Sequence, residues 1–317
     1  MHFERSFLSL LFVFPLIHYC SYQYLRNHLT CMSLNQNRGV VYISTGDKSY
    51  TEALISARSL KRFNPDLPVT IYTDERDSDP IFDNFVIIED PVFSVQDKAL
   101  NIWKTPYEET LYIDSDTFVT GKLDDYFDVL RYCDFAGTIE SARGFWYEGK
   151  LDMPRALCDI NGGVLCFKST PAVISTLKQW YSEYKKTAEW LEEYGPDNWF
   201  LTNDQPSLRK LIWSNRDIRV AILPDEYNAL RLFGTRLWGD ALIVHGRGDI
   251  ERIADEMNAD SGDNRVFLQG AGTAQAIQDI SVWAGIKQSI RMFLSVVYLK
   301  FRIFESPVYK SFRKSQD

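Results

Sequence analysis

Cysteine is scarce in this chain, and its spacing excludes the usual cysteine-based sites. The 317 residues include five cysteines, an odd number, and no Cys-x-x-Cys pair. Structural zinc sites and thiol redox motifs both use closely spaced cysteine pairs, so neither is expected. Cys133 and Cys166 fall inside apolar runs, where a free thiol behaves as a small hydrophobic side chain. We therefore expect both to be buried and reduced.

A basic surface is also lacking over most of the chain. The formal net charge is −8, whereas proteins that bind nucleic acid present a basic face to the phosphate backbone. We therefore expect no nucleic-acid partner. The charge is unevenly distributed, because residues 286–317 hold seven Lys or Arg against two acidic residues. The body of the chain is acidic and its C-terminal tail is basic.

No apolar run near the N-terminus is long enough by itself to identify a membrane span. Residues 7–17 are almost wholly apolar, but this run is shorter than the roughly 20 residues that cross a bilayer, and Pro15 interrupts it. No clear small-x-small cleavage site follows it. An uncleaved anchor, a signal peptide and an incidental extension all remain compatible with residues 7–24. We treat residues 1–37 as a hydrophobic N-terminal extension or anchor.

The sequence does contain a regular alternation of strand and helix patterns. Residues 40–43 are an apolar strand pattern, residues 51–63 have apolar positions at helical spacing, and residues 69–72 are a second strand pattern. A strand, helix and strand within about 35 residues form a βαβ unit, which implies a right-handed crossover and parallel strands.

Further strand and helix patterns follow this unit. Strands are predicted at residues 85–88, 111–113, 135–138, 220–223 and 241–244, with a turn running into a strand at 160–167. Helices are predicted at residues 97–104, 123–130, 171–184 and 203–213, and an irregular loop at 141–159. The sequence predicts an α/β domain over residues 38–250, with a mixed, mainly parallel central sheet flanked by helices.

Two carboxylates separated by one residue follow one of these strands. Asp114 and Asp116 come directly after the apolar residues 111–113. The carboxyl ends of strands in an open α/β sheet form the ligand crevice, so this pair is placed for a divalent cation and the phosphates it carries. Asp77 and Asp79 have the same spacing, but they lie in a charged stretch that is typical of a solvated loop.

Other polar motifs adjoin the predicted elements. A lysine lies on the helix pattern before the acidic strand, and three short motifs begin or end later elements. They are Lys98, Asn161-Gly162-Gly163, Asn203-Asp204-Gln205 (with Asp204 or Asn203 as a helix cap) and His245-Gly246-Arg247.

This succession resembles the nucleotide-sugar-dependent glycosyltransferases of the GT-A fold, and among them the glycogenin and bacterial lipooligosaccharide galactosyltransferase group. The resemblance covers residues 39–248. It rests, in order, on the strand and polar loop of residues 41–50, Lys98, Tyr112-Ile113-Asp114-Ser115-Asp116-Thr117, Asn161-Gly162-Gly163-Val164, Asn203-Asp204-Gln205 and His245-Gly246. It implies a GT-A fold and a hexosyltransferase-like enzyme that moves a sugar from a nucleotide-diphosphate sugar to an acceptor hydroxyl.

The resemblance also implies a metal site. Asp114, Asp116 and His245 would bind Mn²⁺ or Mg²⁺, and the diphosphate of the donor would complete the ligand shell. An imidazole ligand favours Mn²⁺ somewhat, because it is a softer donor than oxygen. The metal and Lys98 would neutralise the charge that develops on the departing diphosphate.

The remaining implied contacts are with the donor. The resemblance expects a UDP-sugar donor and a glycan, lipid or protein acceptor. Its implied nucleoside contacts are Thr45, Gly46 and Tyr50. The other implied substrate contacts are Lys98, Ser115, Asn161, Gly162, Gly163 and Arg247, and the implied catalytic residues are Asp204, Gln205 and Lys98.

The chain departs from this group in two places. The group has a lysine shortly after the glycine that follows the late histidine, where this chain has Arg247, and an arginine can fork onto phosphate. The first loop also lacks the acidic–Asn arrangement expected for uracil. Resemblance favours a retaining reaction, whereas an inverting one needs a carboxylate base, for which Asp204 and Asp225 are candidates.

Two other functions compete with this interpretation. A haloacid-dehalogenase-like phosphohydrolase also uses an Asp-x-Asp after a buried strand, but its threonine falls two residues after the second Asp, where this chain has Phe118. A non-catalytic sugar-nucleotide-binding protein at a membrane would share the binding residues. Metal-dependent turnover of a donor separates the enzyme from the binding protein.

Residues 251–317 are predicted to be a linker and a basic amphipathic helical tail. Over residues 277–304 apolar positions run nearly round the helix, with basic residues among them. Such a segment suits an anionic membrane surface, and the alternative is a helix packed on the back of the domain. We expect membrane association on the cytoplasmic side, with a type II anchor in a secretory compartment as the alternative.

Overall fold

A computed structural model describes residues 37–140, 153–154, 156–192, 203–230, 234–259, 265–270 and 273–276. For residues 190–192, 268–270 and 273–276 the description covers the backbone alone. The predicted extension before residue 37, most of the predicted loop at 141–159 and the predicted tail helix at 277–304 lie outside these residues. Among the helices that the structure describes, none is long and apolar enough to cross a membrane.

The described chain forms thirteen strands and six α-helices. The strands are β1 Arg38–Ser44, β2 Val69–Thr73, β3 Asn84–Ile87, β4 Glu109–Ile113, β5 Thr117–Val119, β6 Phe135–Ile139, β7 Ile160–Lys168, β8 Val220–Leu223, β9 Ala229–Leu230, β10 Thr235–Leu237, β11 Ile243–His245, β12 Arg265–Gly270 and β13 Thr273–Ala276. The helices are α1 Asp47–Phe63, α2 Val95–Asn101, α3 Asp124–Asp128, α4 Pro171–Glu192, α5 Gln205–Ser214 and α6 Ile250–Asn258.

Seven strands form the central sheet, in the order β3-β2-β1-β4-β7-β6-β8. Strands β3, β2, β1 and β4 pair in parallel, as do β6 and β8, while β7 is antiparallel to both of its neighbours. The predicted mixed, mainly parallel sheet is therefore confirmed. Because β7 runs in reverse, its first residues lie at the same sheet edge as the last residues of β1 and β4. That edge is where the polar motifs collect.

Helices cover both faces of this sheet, as its apolar strands require. Side chains of a strand alternate between faces, and accordingly Val40 and Tyr42 pack with α1 and α3 while Val41 and Ile43 pack with α2, α4 and α5. Cys133 and Cys166 are buried and free, as predicted. Both faces are thus occupied, and ligands must enter at the sheet edge.

A smaller three-stranded sheet lies beside the edge of the first. Strand β11 is antiparallel to β5 and parallel to β9, and the apolar side chains of these strands pack with Ile250, Ile253, Ala254 and Met257 of α6. Phe267 of β12 joins the same core. The packed region therefore extends beyond residue 250, where the sequence analysis placed the end of the domain.

Several predicted elements differ in detail from the structure. Residues 161–163, predicted as a turn, lie within β7. Ile160 before them pairs with β6, Val164 after them pairs with β4, and the Gly163 carbonyl accepts from the Asp114 amide. Strand β5 was missed because it has three residues. The helix predicted at 123–130 is the short α3 followed by a 3₁₀ turn at 129–131.

Candidate functional site

Asp114 and Asp116 lie in the short connection between β4 and β5. The pairing of β5 with β11 places Thr117 opposite His245, and the Gly246 amide donates to the Asp116 carbonyl at 2.8 Å. His245 Nε2 consequently lies 3.4 Å from Asp116 Oδ1 and 3.9 Å from Asp114 Oδ2. The structure thus brings together two carboxylates and one imidazole that are about 130 residues apart in sequence.

These three side chains suit a divalent cation. One ligand atom from each lies within 4.8 Å of the others, and all three residues are half-buried. Two carboxylates and an imidazole are ligand types that Mn²⁺ accepts. Burial opposes the charge on Asp116, but the hydrogen bond and charge of His245, with the charge of Arg247, lower the pKa of Asp116 to about 2. Burial likewise opposes charging of His245, and the Asp116 and Asp114 carboxylates raise the pKa of the imidazole above its ordinary value.

Lys98 lies behind the carboxylate pair, in the interior. Its ammonium group is 2.8 Å from Asp204 Oδ2 and 3.4 Å from Asp114 Oδ1, and it donates to the Gly162 carbonyl at 3.1 Å. The side chain is only 7% exposed. Burial opposes the charged amine, but Asp114 and Asp204 raise the pKa of Lys98. The amine is therefore held as a cation between two carboxylates.

Asp114 uses its two oxygens differently. Oδ1 accepts hydrogen bonds from Lys98 and from the Tyr112 hydroxyl, whereas Oδ2 faces His245 Nε2 at 3.9 Å. The backbone amide of Asp114 donates to the Gly163 carbonyl at 2.7 Å. The carboxylate is thus oriented from behind, and Oδ2 is the oxygen presented toward Asp116 and His245.

Asp204 precedes α5 and turns its carboxylate to Lys98. It occupies the cap position of the helix without a side-chain cap hydrogen bond, and Asn203 Oδ1 instead accepts from the Gln205 amide at 2.9 Å. The indole of Trp180, fully buried on α4, donates to the Asp204 carbonyl at 3.2 Å. Burial raises the pKa of Asp204, and Lys98 opposes that shift.

Gly162 and Gly163 bring the β7 backbone against the site. A Cβ on Gly163 would lie 2.1 Å from His245 Cε1 and 3.0 Å from Asp114 Oδ2, and one on Gly162 would lie 3.2 Å from Lys98 Nζ. Real Cβ atoms do not approach as closely as 2.1 Å, so Gly163 excludes a side chain, whereas at Gly162 the contact is tight and Lys98 would have to shift slightly. The β7 backbone therefore lies against His245, Asp114 and Lys98, and the predicted contact of Gly162 and Gly163 with a substrate stays a prediction.

The loop after β1 lies at the same sheet edge and is tied to the segment before α2. The Thr45 hydroxyl donates to Asp97 Oδ2 at 2.7 Å, and the same carboxylate accepts the Val92 and Phe93 amides at 3.1 and 2.8 Å. Phe93 is 63% exposed and, among the described residues, is the one non-glycine residue with a positive φ, 57°. A Cβ on Gly46 would lie 3.5 Å from the Phe93 ring. An exposed aromatic ring is therefore held beside Gly46.

Other predicted donor contacts are engaged within the protein. The ring of Tyr50 lies 6.2 Å from that of Phe82, and its hydroxyl donates to the Asp77 carbonyl at 3.2 Å. The Ser115 hydroxyl is 3.1 Å from that of Ser49. Asn161 is buried, and its carbonyl oxygen accepts from the Gly163 amide at 2.9 Å. Gln205 is half-buried in the first turn of α5.

Arg247 lies at the rim of the carboxylate pair. Its Nε is 3.6 Å from Asp116 Oδ2 and 3.7 Å from Glu52 Oε1, and its side chain is 66% exposed. Glu52, on α1, was not singled out from the sequence. Burial raises the pKa of its carboxyl, and Arg247 opposes that shift. An exposed cation thus lies beside Asp116 at the rim of the carboxylate pair.

Sequence reasoning missed several residues that shape this site. Tyr112 and Trp180 read as core residues, and Asn228 and Glu140 are single polar residues with no motif around them. Asp97 could have been predicted from the sequence, because Ser94-x-x-Asp97 is a capping-box pattern. The structure contains this capping box. The phosphohydrolase alternative gains no support, since Phe118 is buried in the core formed with α6.

Comparison with known proteins gives only distant likenesses. No protein-family model matches the chain, and no curated protein matches its sequence. A galactosyltransferase, LgtC, solved with donor and acceptor sugar analogues, is 15% identical over 69% of this chain and 96% of its own, with a TM-score of 0.46. The glycosyltransferase GlyE of Streptococcus pneumoniae TIGR4 is 18% identical over 68% of this chain and 55% of its own, with a TM-score of 0.46.

A third solved structure is mouse xyloside xylosyltransferase 1. It is 11% identical over 67% of this chain and 98% of its own, with a TM-score of 0.45. Likenesses at these identities do not by themselves establish a shared function.

Proposed function

We propose that this chain is a metal-dependent glycosyltransferase of the GT-A type. It moves a sugar from a nucleotide-diphosphate sugar, a UDP-sugar in our proposal, to an acceptor hydroxyl. The observation that carries the proposal is the meeting of Asp114, Asp116 and His245 within 4.8 Å at the edge where β4 ends and β7 begins. Ligands of α/β sheets bind at such an edge.

The three side chains would hold Mn²⁺ or Mg²⁺ in this proposal. A divalent ion bound there supplies positive charge to the diphosphate of the donor, which is the leaving group of sugar transfer. Asp114 would offer the Oδ2 that faces His245, because Lys98 and Tyr112 engage Oδ1. Arg247, exposed at the rim beside Asp116, would bind a phosphate oxygen with its guanidinium group.

Lys98 acts in this account through the two carboxylates that surround it. Its ammonium group is buried against Asp114 and Asp204, so it fixes their positions and balances their charge. Gln205 would face the sugar from the start of α5, and the backbone of Gly162 and Gly163 would face it from β7, while Asp204, buried against Lys98, would act by holding that lysine.

A retaining course is the stereochemistry we propose. Its support is the burial of Asp204, which is 4% exposed and paired with Lys98 at 2.8 Å. An inverting enzyme needs a carboxylate free to take a proton from the acceptor hydroxyl, and a carboxylate held by a buried lysine is poorly suited to that task. The anomeric configuration of the product, read by NMR, distinguishes the two courses.

The nucleoside would bind over the loop after β1. Thr45 and Gly46 border this region, and the exposed ring of Phe93 lies beside Gly46. Aromatic rings stack on nucleobases, with each contact contributing about 1–3 kcal/mol. Phe93 would therefore take one face of the base.

A screen of nucleotide sugars for thermal stabilisation in the presence of Mn²⁺ tests the proposal. A ligand that binds the folded state alone raises its stability, by about 2.7 kcal/mol at a hundredfold excess over Kd. We expect a nucleotide-diphosphate sugar to raise Tm when Mn²⁺ is present and to have a much smaller effect with EDTA. No metal-dependent stabilisation by any member of the class would contradict the proposal.

We also propose membrane association through the basic segment of residues 277–317, on the cytoplasmic side. Its support is the sequence, in which basic residues recur among apolar ones. Sedimentation with vesicles tests it. We expect the full chain to pellet with vesicles containing phosphatidylserine and to stay in solution with phosphatidylcholine alone. Equal recovery from both would contradict the proposal.

A further inference from the structure

We propose that Glu140, Asn161 and Asn228 form a hydrogen-bonded relay that fixes the tautomer of His245, with the proton on Nδ1 and the lone pair of Nε2 facing Asp114 and Asp116. These three residues are positioning residues. The metal part of this inference rests on the proposed function, whereas the tautomer is a property of the metal-free chain.

The relay is continuous from one end to the other. Asn161 Nδ2 lies 2.7 Å from Glu140 Oε2, Asn228 Nδ2 lies 2.8 Å from Asn161 Oδ1, and His245 Nδ1 lies 3.0 Å from Asn228 Oδ1. Glu140 follows β6, Asn161 is in β7, Asn228 precedes β9 and His245 ends β11. Two strands and the residues that flank two others therefore contribute one residue each.

The direction of the relay follows from its first amide. The Gly163 amide can only donate, and it lies 2.9 Å from Asn161 Oδ1. On the other side of the same amide group, Asn161 Nδ2 donates to Glu140 Oε2 at 2.7 Å. Both neighbours require the carbonyl oxygen of Asn161 to face Gly163 and its nitrogen to face Glu140.

The rest of the relay has no remaining freedom. Because Asn161 Oδ1 is an acceptor, the group of Asn228 that faces it must be the amide nitrogen, which donates. The oxygen of Asn228 then faces His245 Nδ1, and an oxygen acceptor requires a proton on that nitrogen. In the neutral imidazole the other nitrogen, Nε2, is left with the lone pair. Asp116 Oδ1 lies 3.4 Å from Nε2 and competes for the single proton of the neutral ring, but the shorter contact of 3.0 Å between Nδ1 and Asn228 Oδ1 favours its retention on Nδ1.

Burial makes this arrangement expensive to change. Glu140, Asn161 and Asn228 are 6%, 3% and 2% exposed. A buried amide that loses its hydrogen-bond partner is destabilising, because water cannot replace the lost bond. Rotating the Asn161 amide by 180° would set like groups against each other at both of its ends, and rotating that of Asn228 would set its oxygen against Asn161 Oδ1. The relay therefore favours the Nδ1–H tautomer of the metal-free ring, against the attraction of Asp116 for a proton on Nε2.

Metal-binding histidines commonly donate their second ring N–H to a protein acceptor, and loss of that acceptor typically weakens metal binding 10–100-fold. Here the acceptor is an amide oxygen whose orientation is set by a carboxylate and a backbone amide. This assignment also gives Asn161 a role other than the sugar contact that the sequence suggested.

Nitrogen-15 NMR of the full chain labelled in histidine tests the tautomer directly. The signal of His245 is identified by its absence in His245→Gln, and spectra are recorded without metal at a pH where the ring is neutral. We expect the wild type to show a protonated Nδ1 and an unprotonated Nε2. We expect Asn228→Ala to shift the population toward the Nε2–H form. A wild type with the proton on Nε2, or an unchanged tautomer in Asn228→Ala, would overturn the relay.

Calorimetric titration with Mn²⁺ alone measures the effect of the relay on metal affinity. We expect Asn228→Ala to weaken binding about 10–100-fold, and Asn228→Asp, which still offers an oxygen to Nδ1–H but sets its second oxygen against Asn161 Oδ1, to weaken it less. Asn228→Asp also serves where the alanine variant does not fold. The matched control is Asn64→Ala, which removes a buried amide that bonds Leu60, Gly121 and Leu123, and we expect its Mn²⁺ affinity to be unchanged.

The two parts can fail separately. A wild type with the Nδ1–H tautomer that binds no Mn²⁺ confirms the relay and contradicts the proposed metal site. A wild type that binds Mn²⁺ through His245 with the same affinity in Asn228→Ala overturns the relay and leaves the metal site intact.

Discussion

The ammonium group of Lys98 lies 2.8 Å from the carboxylate of Asp204, and both side chains are almost wholly buried. Lys98 is on α2 and Asp204 immediately precedes α5, so the pair joins two helices that pack on the same face of the central sheet. Truncating one partner of a buried ion pair leaves an uncompensated charge, whereas removing both charges costs less.

This relationship predicts the effect of Lys98→Met on stability. The variant leaves Asp204 buried without its cation, and we expect the free energy of unfolding to fall by about 3–5 kcal/mol. Urea denaturation of the metal-free chain measures it. The double variant Lys98→Met/Asp204→Asn, in which both charges are removed, should lose less than the single one. An equal or greater loss in the double variant would contradict the pairing.

The raised pKa of His245 predicts that the stability of the metal-free fold falls as pH rises, whereas the affinity for a metal ion increases. Attraction between the protonated ring and Asp116 stabilises the metal-free fold fully below the unfolded pKa near 6.5 and is lost as pH rises through the higher folded value. Metal binding requires the unprotonated Nε2 and therefore strengthens with pH.

We expect Mn²⁺ affinity, measured by calorimetry, to rise between about pH 6 and pH 8 as His245 loses its proton. Asp116, with its pKa lowered to about 2, stays ionised throughout. His245→Gln should bind more weakly and lose most of this dependence. The same pH dependence in His245→Gln as in the wild type would show that another group is responsible.

Gly163→Ala tests the close approach of β7 to the metal ligands. Its Cβ would lie 2.1 Å from His245 Cε1, so the imidazole must move, and we expect Mn²⁺ affinity to fall at least about tenfold. Overpacking should also cost about 1–3 kcal/mol of stability. Gly239→Ala is the matched control, because nothing lies within 4 Å of the Cβ it would add. Equal Mn²⁺ affinity in the two variants would contradict the geometry.

Phe93→Ala tests the proposed base-stacking position. The ring is exposed, so its removal should leave the fold unchanged while donor binding weakens by about 1–3 kcal/mol. Calorimetry with the donor found by the stabilisation screen measures this, and Phe93→Tyr should restore binding. The control is Val92→Ala, which truncates the exposed neighbouring side chain. Equal donor affinity in Phe93→Ala and the wild type would remove Phe93 from the site.

The sequence predicted the fold well where local patterns suffice. The apolar strands and amphipathic helices carry their periodicity in short windows, so the βαβ start and the mainly parallel sheet could be read directly. It also predicted that Asp114 and His245 would meet, but through a family resemblance. Pairing of β5 with β11, which brings them together, joins three-residue strands far apart in sequence and leaves no local signal.

Other parts of the site could not be read at all. Asn228 and Glu140 matter here because of what they face across the fold, and a single buried asparagine or glutamate looks like any other in the sequence. The glycines at 162 and 163 suggested a turn because Asn-Gly marks turns generally. Within β7 their function is instead to make room for His245 and Lys98, a constraint set by packing between strands.

Release of nucleoside diphosphate from the donor, with Mn²⁺ present, tests the central claim most directly. The assay compares the wild type with Asp116→Ala and with Asp77→Ala. Asp77 is exposed, and with Asp79 it has the same spacing as the pair Asp114 and Asp116. We predict turnover in the wild type and in Asp77→Ala that is abolished by chelation, and at least about a hundredfold loss in Asp116→Ala. Turnover that survives in Asp116→Ala, or no metal-dependent turnover of any nucleotide sugar by the wild type, would contradict the account.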